Sequence, residues 1–197
     1  MRMMIGRRCG LWFALAFLLS LSIADVSGAQ AIDTARSKIT IQVKKGGFLS
    51  AFGHDHIVAA PIAEGRVNRS GEPSVTLRIE SGALRVLDPE LPPEKRAEVQ
   101  KTMLGAEVLN VGRYPEIRFA STRIQTTGTN EWMVQGDLTL HGVTRTISFP
   151  ISLRDGIYRG AVKLKQTEFG INPVSVAGGT VRVKDEVKIE FEIAFAQ

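Results

Sequence analysis

Apolar and polar residues alternate at every second position through one stretch of this chain after another, the spacing that puts successive side chains on opposite faces of a β-strand. Ile39, Ile41 and Val43 alternate with Lys38, Thr40, Gln42 and Lys44, and Val75, Leu77 and Ile79 with Ser74, Thr76, Arg78 and Glu80. The pattern continues through Ile117 and Phe119, through Trp132, Val134, Leu138 and Leu140, and through Ile147, Phe149, Ile151 and Leu153. Val162 and Leu164 predict one more strand, and Val187, Ile189, Phe191 and Ile193 a last one. Each run predicts a strand with one apolar and one solvated face.

Turn chemistry separates the runs. Asn68-Arg69-Ser70-Gly71, Thr127-Gly128-Thr129-Asn130, His141-Gly142, Asp155-Gly156 and Gly178-Gly179 are polar or flexible spacers of hairpin length, so neighbouring strands should be antiparallel. One stretch breaks the rhythm. After Pro92-Pro93, residues 94–110 are rich in helix formers, with Val99, Met103 and Ala106 near one face, and Pro115 stops anything helical. This predicts one surface helix over a barrel end or seam. Seven to nine such strands, a range set by the number of alternating runs, must form a sandwich or close on themselves. Closure at about eight leaves an interior either filled by side chains or able to hold one small ligand.

The N-terminus has the layout of a secretory signal peptide: Arg2, Arg7 and Arg8 precede an apolar run over residues 11–19 that is too short to span a bilayer. Small residues at Ser27, Ala29 and Ala31 suit cleavage after Ala29 or after Ala31, and Ala29 is preferred. The expected division is a leader over residues 1–29 and one β domain over residues 30–197, exported to the periplasm. Removing the leader leaves 22 basic residues against 19 acidic, too small an excess to specify a partner. The one cysteine, Cys9, leaves with it, which excludes disulfides and thiol catalysis from the mature chain.

Several segments resemble the YceI-like family. They are Ile32-Asp33 with Arg36-Ser37, Tyr114-Pro115-Glu116-Ile117-Arg118-Phe119, Gly136-Asp137-Leu138-Thr139-Leu140-His141-Gly142-Val143-Thr144, and Phe169-Gly170-Ile171 followed by Val187-Lys188-Ile189-Glu190-Phe191. They occur in the family's order across the mature chain. The resemblance implies an all-β fold, an antiparallel lipocalin-like barrel of about eight strands with one short surface helix, that binds polyisoprenoids or other long-chain lipids. The chain departs from the family at residues 107–113, where an aromatic-rich segment is usual, and at Gly53-His54-Asp55-His56.

The expected ligand wall is Phe48, Phe52, Val75, Leu77, Phe119, Trp132, Leu138, Leu140 and Phe149, which would bury a hydrocarbon tail at about 0.8 kcal/mol per methylene. No catalytic residue, metal ligand or cofactor is assigned. The chain lacks a Gly-x-Ser-x-Gly elbow, a His-Glu-x-x-His helix, a phosphate loop and a dinucleotide fingerprint, and Asp137 reads as a surface strand residue. Lys163 and Lys165 alternate with Val162 and Leu164 as an ordinary solvated face, which argues against nucleic acid. Brief contact with anionic membrane headgroups is compatible with the basic surface, and oligomeric state is not set. Two other readings stay open: a metal-binding or stress-related barrel using His54 and His56, and a filled barrel whose partner is another exported protein.

Overall fold

The computed structural model describes residues 29–46, 55–176 and 181–196. The strands are β1 (Ala29–Ala31), β2 (Lys38–Gly46), β3 (His56–Ala59), β4 (Glu64–Asn68), β5 (Ser74–Glu80), β6 (Arg85–Val86), β7 (Glu116–Gly128), β8 (Glu131–Leu140), β9 (Val143–Arg154), β10 (Ile157–Lys165), β11 (Ser175–Val176) and β12 (Val181–Ile193), with one helix, α1 (Pro93–Leu104). They form a single 12-stranded sheet in the order β1-β4-β5-β7-β8-β9-β10-β12-β2-β3-β6, with β11 off this path against β12. Every pairing is antiparallel.

The sheet curls into a ring. Residues 56–68 pair through β3 with β2 and through β4 with β5, and Ala60 and Ala63 carry the pairing across the bend by donating to Ile39 and Arg78. Pro61 sits between them, where no ladder donor is needed. On the other side of the same bent strand, β1 pairs with β4 and β6 with β3. The segment after β1 meets the end of β12 through an Ile32–Phe195 bridge, and Ala196 donates to Ala31 at 3.0 Å. The segments β1/β2, β3/β4 and β5/β6 therefore form one side each, and β7, β8, β9, β10 and β12 supply five more. The expected antiparallel barrel is present, but the strands outnumber the expected eight because bends at residues 32–37, 60–63 and 81–84 split the first three sides.

β1, β3, β4, β6 and β11 were not legible in the alternation, being too short to show a period. The longer strands fall where it placed them. Turn residues behave as predicted: His141 and Gly142 have φ of 52° and 75°, and Asp155 and Gly156 52° and 73°, the left-handed pairs that two-residue hairpins require. The Gly178-Gly179 turn lies outside the described residues. Bulges after Ser121 and after Val183 break strict pairing, and the first shifts the alternation so that Ile124 continues the inward face of Phe119.

All strands run between two ends. The β4–β5, β7–β8 and β9–β10 turns and Phe195 gather at what we call the turn end, and α1, the β8–β9 turn and a 3-10 turn at Gln166–Phe169 gather at the helix end. The helix is shorter than expected. It stops at Gly105, and residues 106–114 fold inward so that Val108 and Leu109 become buried. Carrying the helix on would have held these two side chains away from the barrel interior.

No residue of α1 is fully buried, and Val99, Met103 and Leu104 pack against the core. Its polar contribution is at least as important. Gln100 Oε1 accepts from the Val86 amide at 2.7 Å and Gln100 Nε2 donates to the Leu84 carbonyl at 2.9 Å, so one side chain satisfies the edge of β6 that no strand covers. Gln100→Ala should lower unfolding stability by about 1–3 kcal/mol, the cost of leaving such groups unsatisfied, and a urea titration followed by far-UV circular dichroism measures it.

Candidate ligand cavity

Curling the sheet turns its apolar face inward, and the side chains on that face do not fill the space. A cavity of about 470 Å3 runs through the barrel, within the roughly 300–1,000 Å3 typical of small-molecule sites. Val75 and Leu77 on β5, Phe119 on β7, Trp132, Leu138 and Leu140 on β8 and Phe149 on β9 all line it. Phe48 and Phe52 lie outside the described residues. Val75, Leu77, Trp132 and Leu140 point inward yet are only half-buried, because the surface they keep faces the cavity. The completely filled barrel is thereby set aside.

The expected lining leaves out the opposite wall. Ile41 and Val43 on β2, Val162 on β10 and Ile189 and Phe191 on β12 complete it. Alternation had already put them on one face of their strands; only closure reveals that this face and that of β8 enclose the same space. Phe119, Phe149 and Phe191 form a ladder across the interior with centroids 5.6 and 5.4 Å apart. Trp132, Tyr158 and Phe195 form a second group near the turn end, at 5.7 and 5.1 Å. The Phe119 ring lies where a side chain at Gly136 would stand, so that glycine is required by a close approach rather than by flexibility.

Among the described residues, polar side chains on the lining are few: Asn68, Arg69 and Gln166, with the amphipathic Trp132 and Tyr158. Among the described residues, Val108, Leu109 and Ile171, all buried, line the cavity at the helix end, and Phe169 nearby in sequence is wholly buried. Among the described lining residues only Arg69 and Pro73 are exposed, and both belong to the β4–β5 turn. The described lining therefore comes to the surface at the turn end.

The histidine cluster is placed elsewhere. His54 lies outside the described residues. Asp55 accepts from the Lys45 amide at 2.9 Å and pairs with Lys44 Nζ at 3.0 Å, and the amide bond, followed by the Lys44 ammonium, holds its carboxyl below the ordinary value. His56 Nδ1 is 2.6 Å from Asp88 Oδ2, and the other oxygen of this buried carboxylate accepts from the Ile57 amide at 2.7 Å. The sequence reading did not single out Asp88. The pair clips β3 to the chain leaving β6, and neither residue lines the cavity. Among the described residues, no group of three or more His, Cys, Asp or Glu side chains is arranged to hold a metal ion.

His141 belongs to a packing junction. Its ring stacks on Tyr114 at 4.3 Å between centroids, and its Nδ1 lies 3.2 Å from the Phe169 carbonyl. Asp137 accepts from the Thr146 hydroxyl on the outer face. The Tyr-Pro, His-Gly and Phe-Gly-Ile segments thus converge at the helix end, where they hold the closure of the barrel.

Sequence comparison agrees with this construction. The YceI-like domain profile matches residues 30–195. The chain belongs to the YceI-like family. Within it, a UPF0312 protein of Vibrio parahaemolyticus is 32% identical over 66% of this chain and 67% of its own length. A UPF0312 protein of Pseudomonas putida strain W619 is 47% identical, but the match spans only 28% of that relative and 27% of this chain. Among solved structures, Burkholderia cenocepacia BcnA superposes with a TM-score of 0.66 at 20% identity, covering 84% of this chain and 99% of BcnA. A polyisoprenoid binding domain from Saccharophagus degradans, implicated in plant cell wall breakdown, superposes at 0.57 with 13% identity, covering 84% and 97%. At these identities the likeness is one of fold.

The helix end carries a pH-dependent tie. Asp185 accepts from the Thr167 hydroxyl at 2.7 Å and the Thr167 amide at 2.9 Å, and these bonds hold its carboxyl below its ordinary value of 3.8. A carboxylate so lowered adds stability above its unfolded pKa and loses it as pH falls through the folded one. Stability should decline from about pH 5 downward, and Asp185→Asn should be less stable at neutral pH and show a shallower decline, as read from urea midpoints across pH.

Proposed function

We propose that this YceI-like barrel is a non-catalytic binding or carrier protein for an isoprenoid or similar long-chain lipid, acting in the periplasm after export. The observation that carries this reading is the cavity itself, lined by apolar side chains from every side of the barrel. Each methylene moved from water into such a wall gains about 0.8 kcal/mol, so a tail of modest length binds without any charged contact. The polyisoprenoid binding domain from Saccharophagus degradans, which shares the fold, supports the ligand class. The sparse polar lining supports binding without chemistry, since an acid, a base and a nucleophile would have to converge on the bound molecule.

Native mass spectrometry of the protein recovered from its own compartment should show one lipid per chain, released on denaturation. Ile189→Trp, which pushes an indole into the cavity from a half-buried wall position, should weaken lipid uptake about tenfold or more, since displacing two methylenes costs roughly 1.6 kcal/mol. A wild-type protein that is recovered empty and takes up neither farnesol nor a long-chain fatty alcohol would overturn the reading.

The leader over residues 1–29 supports export. Cleavage after Ala29 leaves Gln30 and Ala31 paired with Val67 and Arg66, whereas cleavage after Ala31 removes the whole of β1 and the bond from Gln30 Nε2 to the Ala196 carbonyl. N-terminal sequencing of the periplasmic protein is expected to begin at Gln30; a start at Met1 would refute processing.

A further inference from the structure

The ring of strands is bonded unevenly. β10 pairs with β12 from Tyr158 through Lys165, and β9 pairs with β8 from Val143 through Ser152. Between β9 and β10 the ladder runs only from Ile157 with Arg154 to Gly160 with Ile151. Beyond it, toward the helix end, residues 143–150 and 161–165 are strand on both sides of a seam that no pairing crosses. The break starts at a proline. The Pro150 carbonyl oxygen lies 2.8 Å from where a Cβ on Gly160 would stand, so this flank of Pro150 faces β10, and it has no N–H to donate there.

Side chains close the seam instead. Phe191, opposite Gly160 on β12, sends its ring across the inner face of β10, into the place a Gly160 side chain would take, and meets the Phe149 ring of β9 edge-on at 5.4 Å between centroids. Both rings line the cavity, as do Ile147 and Val162, which stay half-buried on the two sides of the seam. The slit is bounded at either end. The β9–β10 hairpin ties it at the turn end, and at the helix end Arg145 Nε donates to the Glu168 carbonyl at 3.2 Å, joining β9 to the turn that follows β10. Its outer rim carries little free charge: β9 exposes Thr146, Ser148 and Pro150, and Lys163 of β10 pairs at 2.9 Å with Glu186 on β12, the flank away from β9.

A ladder of backbone bonds opens only by local unfolding, whereas an aromatic ring moves by turning about its own side-chain bonds. This stretch of wall is therefore the one among the described strands that can part without breaking strand pairing. A long tail can pass through such a slit edge-on instead of being threaded lengthwise. We propose that the seam between β9 and β10 is a lateral gate through which the apolar ligand enters and leaves the cavity, with Phe149 and Phe191 as its inner bar. This rests on the lipid-carrier reading and adds the route.

Continuing the β9–β10 register would set Lys163 opposite Ser148. In a Cys9→Ser background, free of other cysteine, Ser148→Cys/Lys163→Cys bridges the seam, and Ser152→Cys/Arg159→Cys bridges the part already paired. Farnesol is the probe, its uptake and release followed by stopped-flow tryptophan fluorescence and its affinity by equilibrium titration. Oxidising the Ser148→Cys/Lys163→Cys protein should slow uptake and release alike by about tenfold or more, since a bridge raises the barrier to passage without changing either end state; affinity should hold, and reduction should restore the rates. The Ser152→Cys/Arg159→Cys protein should exchange equally fast oxidised and reduced. A seam pair that does not oxidise is bridged with a short bismaleimide and read in the same way. Phe191→Leu, which removes the edge-on contact, should exchange about threefold faster in both directions. Unchanged rates in the bridged seam protein, with farnesol still bound, would overturn the gate and leave the carrier reading intact. Absence of farnesol binding in every form, reduced and wild type included, would overturn both.

Discussion

Backbone hydrogen bonding around a closed ring is the constraint on which the rest of this molecule depends. A twisted sheet with one apolar face is left with two unpaired edges and an exposed hydrophobic surface unless it is covered or closed. Here the bent strand formed by residues 56–68 meets β2 on one flank and β5 on the other, and the Ile32–Phe195 bridge extends the closure toward the turn end. Beside β6 the open edge is met by a side chain, Gln100, acting in place of a backbone. With the edges satisfied, the apolar face needs no second sheet to pack against. It becomes the wall of a cavity instead of half of a sandwich core.

The two ends of that wall have different duties. At the helix end, Tyr114, His141 and Phe169 lock three remote segments together, and Val108, Leu109 and Ile171 line the interior. At the turn end the connections are hairpins, and the described lining residues there are amphipathic: rings with polar tips, an amide and a guanidinium. The recognisable segments of the family fall mainly at the helix end and on the wall, so family membership reports the container more directly than its contents.

Much of the fold was legible because strand alternation is a local property. Residues 74–80, 131–140 and 187–193 show their inward and outward faces without reference to any partner, and His141-Gly142 and Asp155-Gly156 carry the left-handed conformations their hairpins demand. Segments of two to five residues were illegible for the same reason: Arg85–Val86 or Glu64–Asn68 is too short to display a period, and each is a strand only because a neighbour is already in place. The helix was overextended because residues 106–110 have helical composition, whereas the chain leaves the helix at Gly105 and buries Val108 and Leu109 beyond it.

The candidate site divides along the same line. Which side chains share a face of one strand was set by sequence, and Val75, Leu77, Phe119, Trp132, Leu138, Leu140 and Phe149 accordingly stand on the cavity wall. Whether that wall encloses space was decided by closure, since a void depends on the distance between strands far apart in the chain. The pairing of His56 with Asp88, rather than with another histidine, and the placing of Arg69 over Phe195 were decided there too. The sequence by itself determined the strand faces, the turns and the chemical character of the lining. The tertiary structure alone decided the enclosed volume and the placing of Arg69, the charged residue among the described lining, because these are relations between residues that only folding makes neighbours.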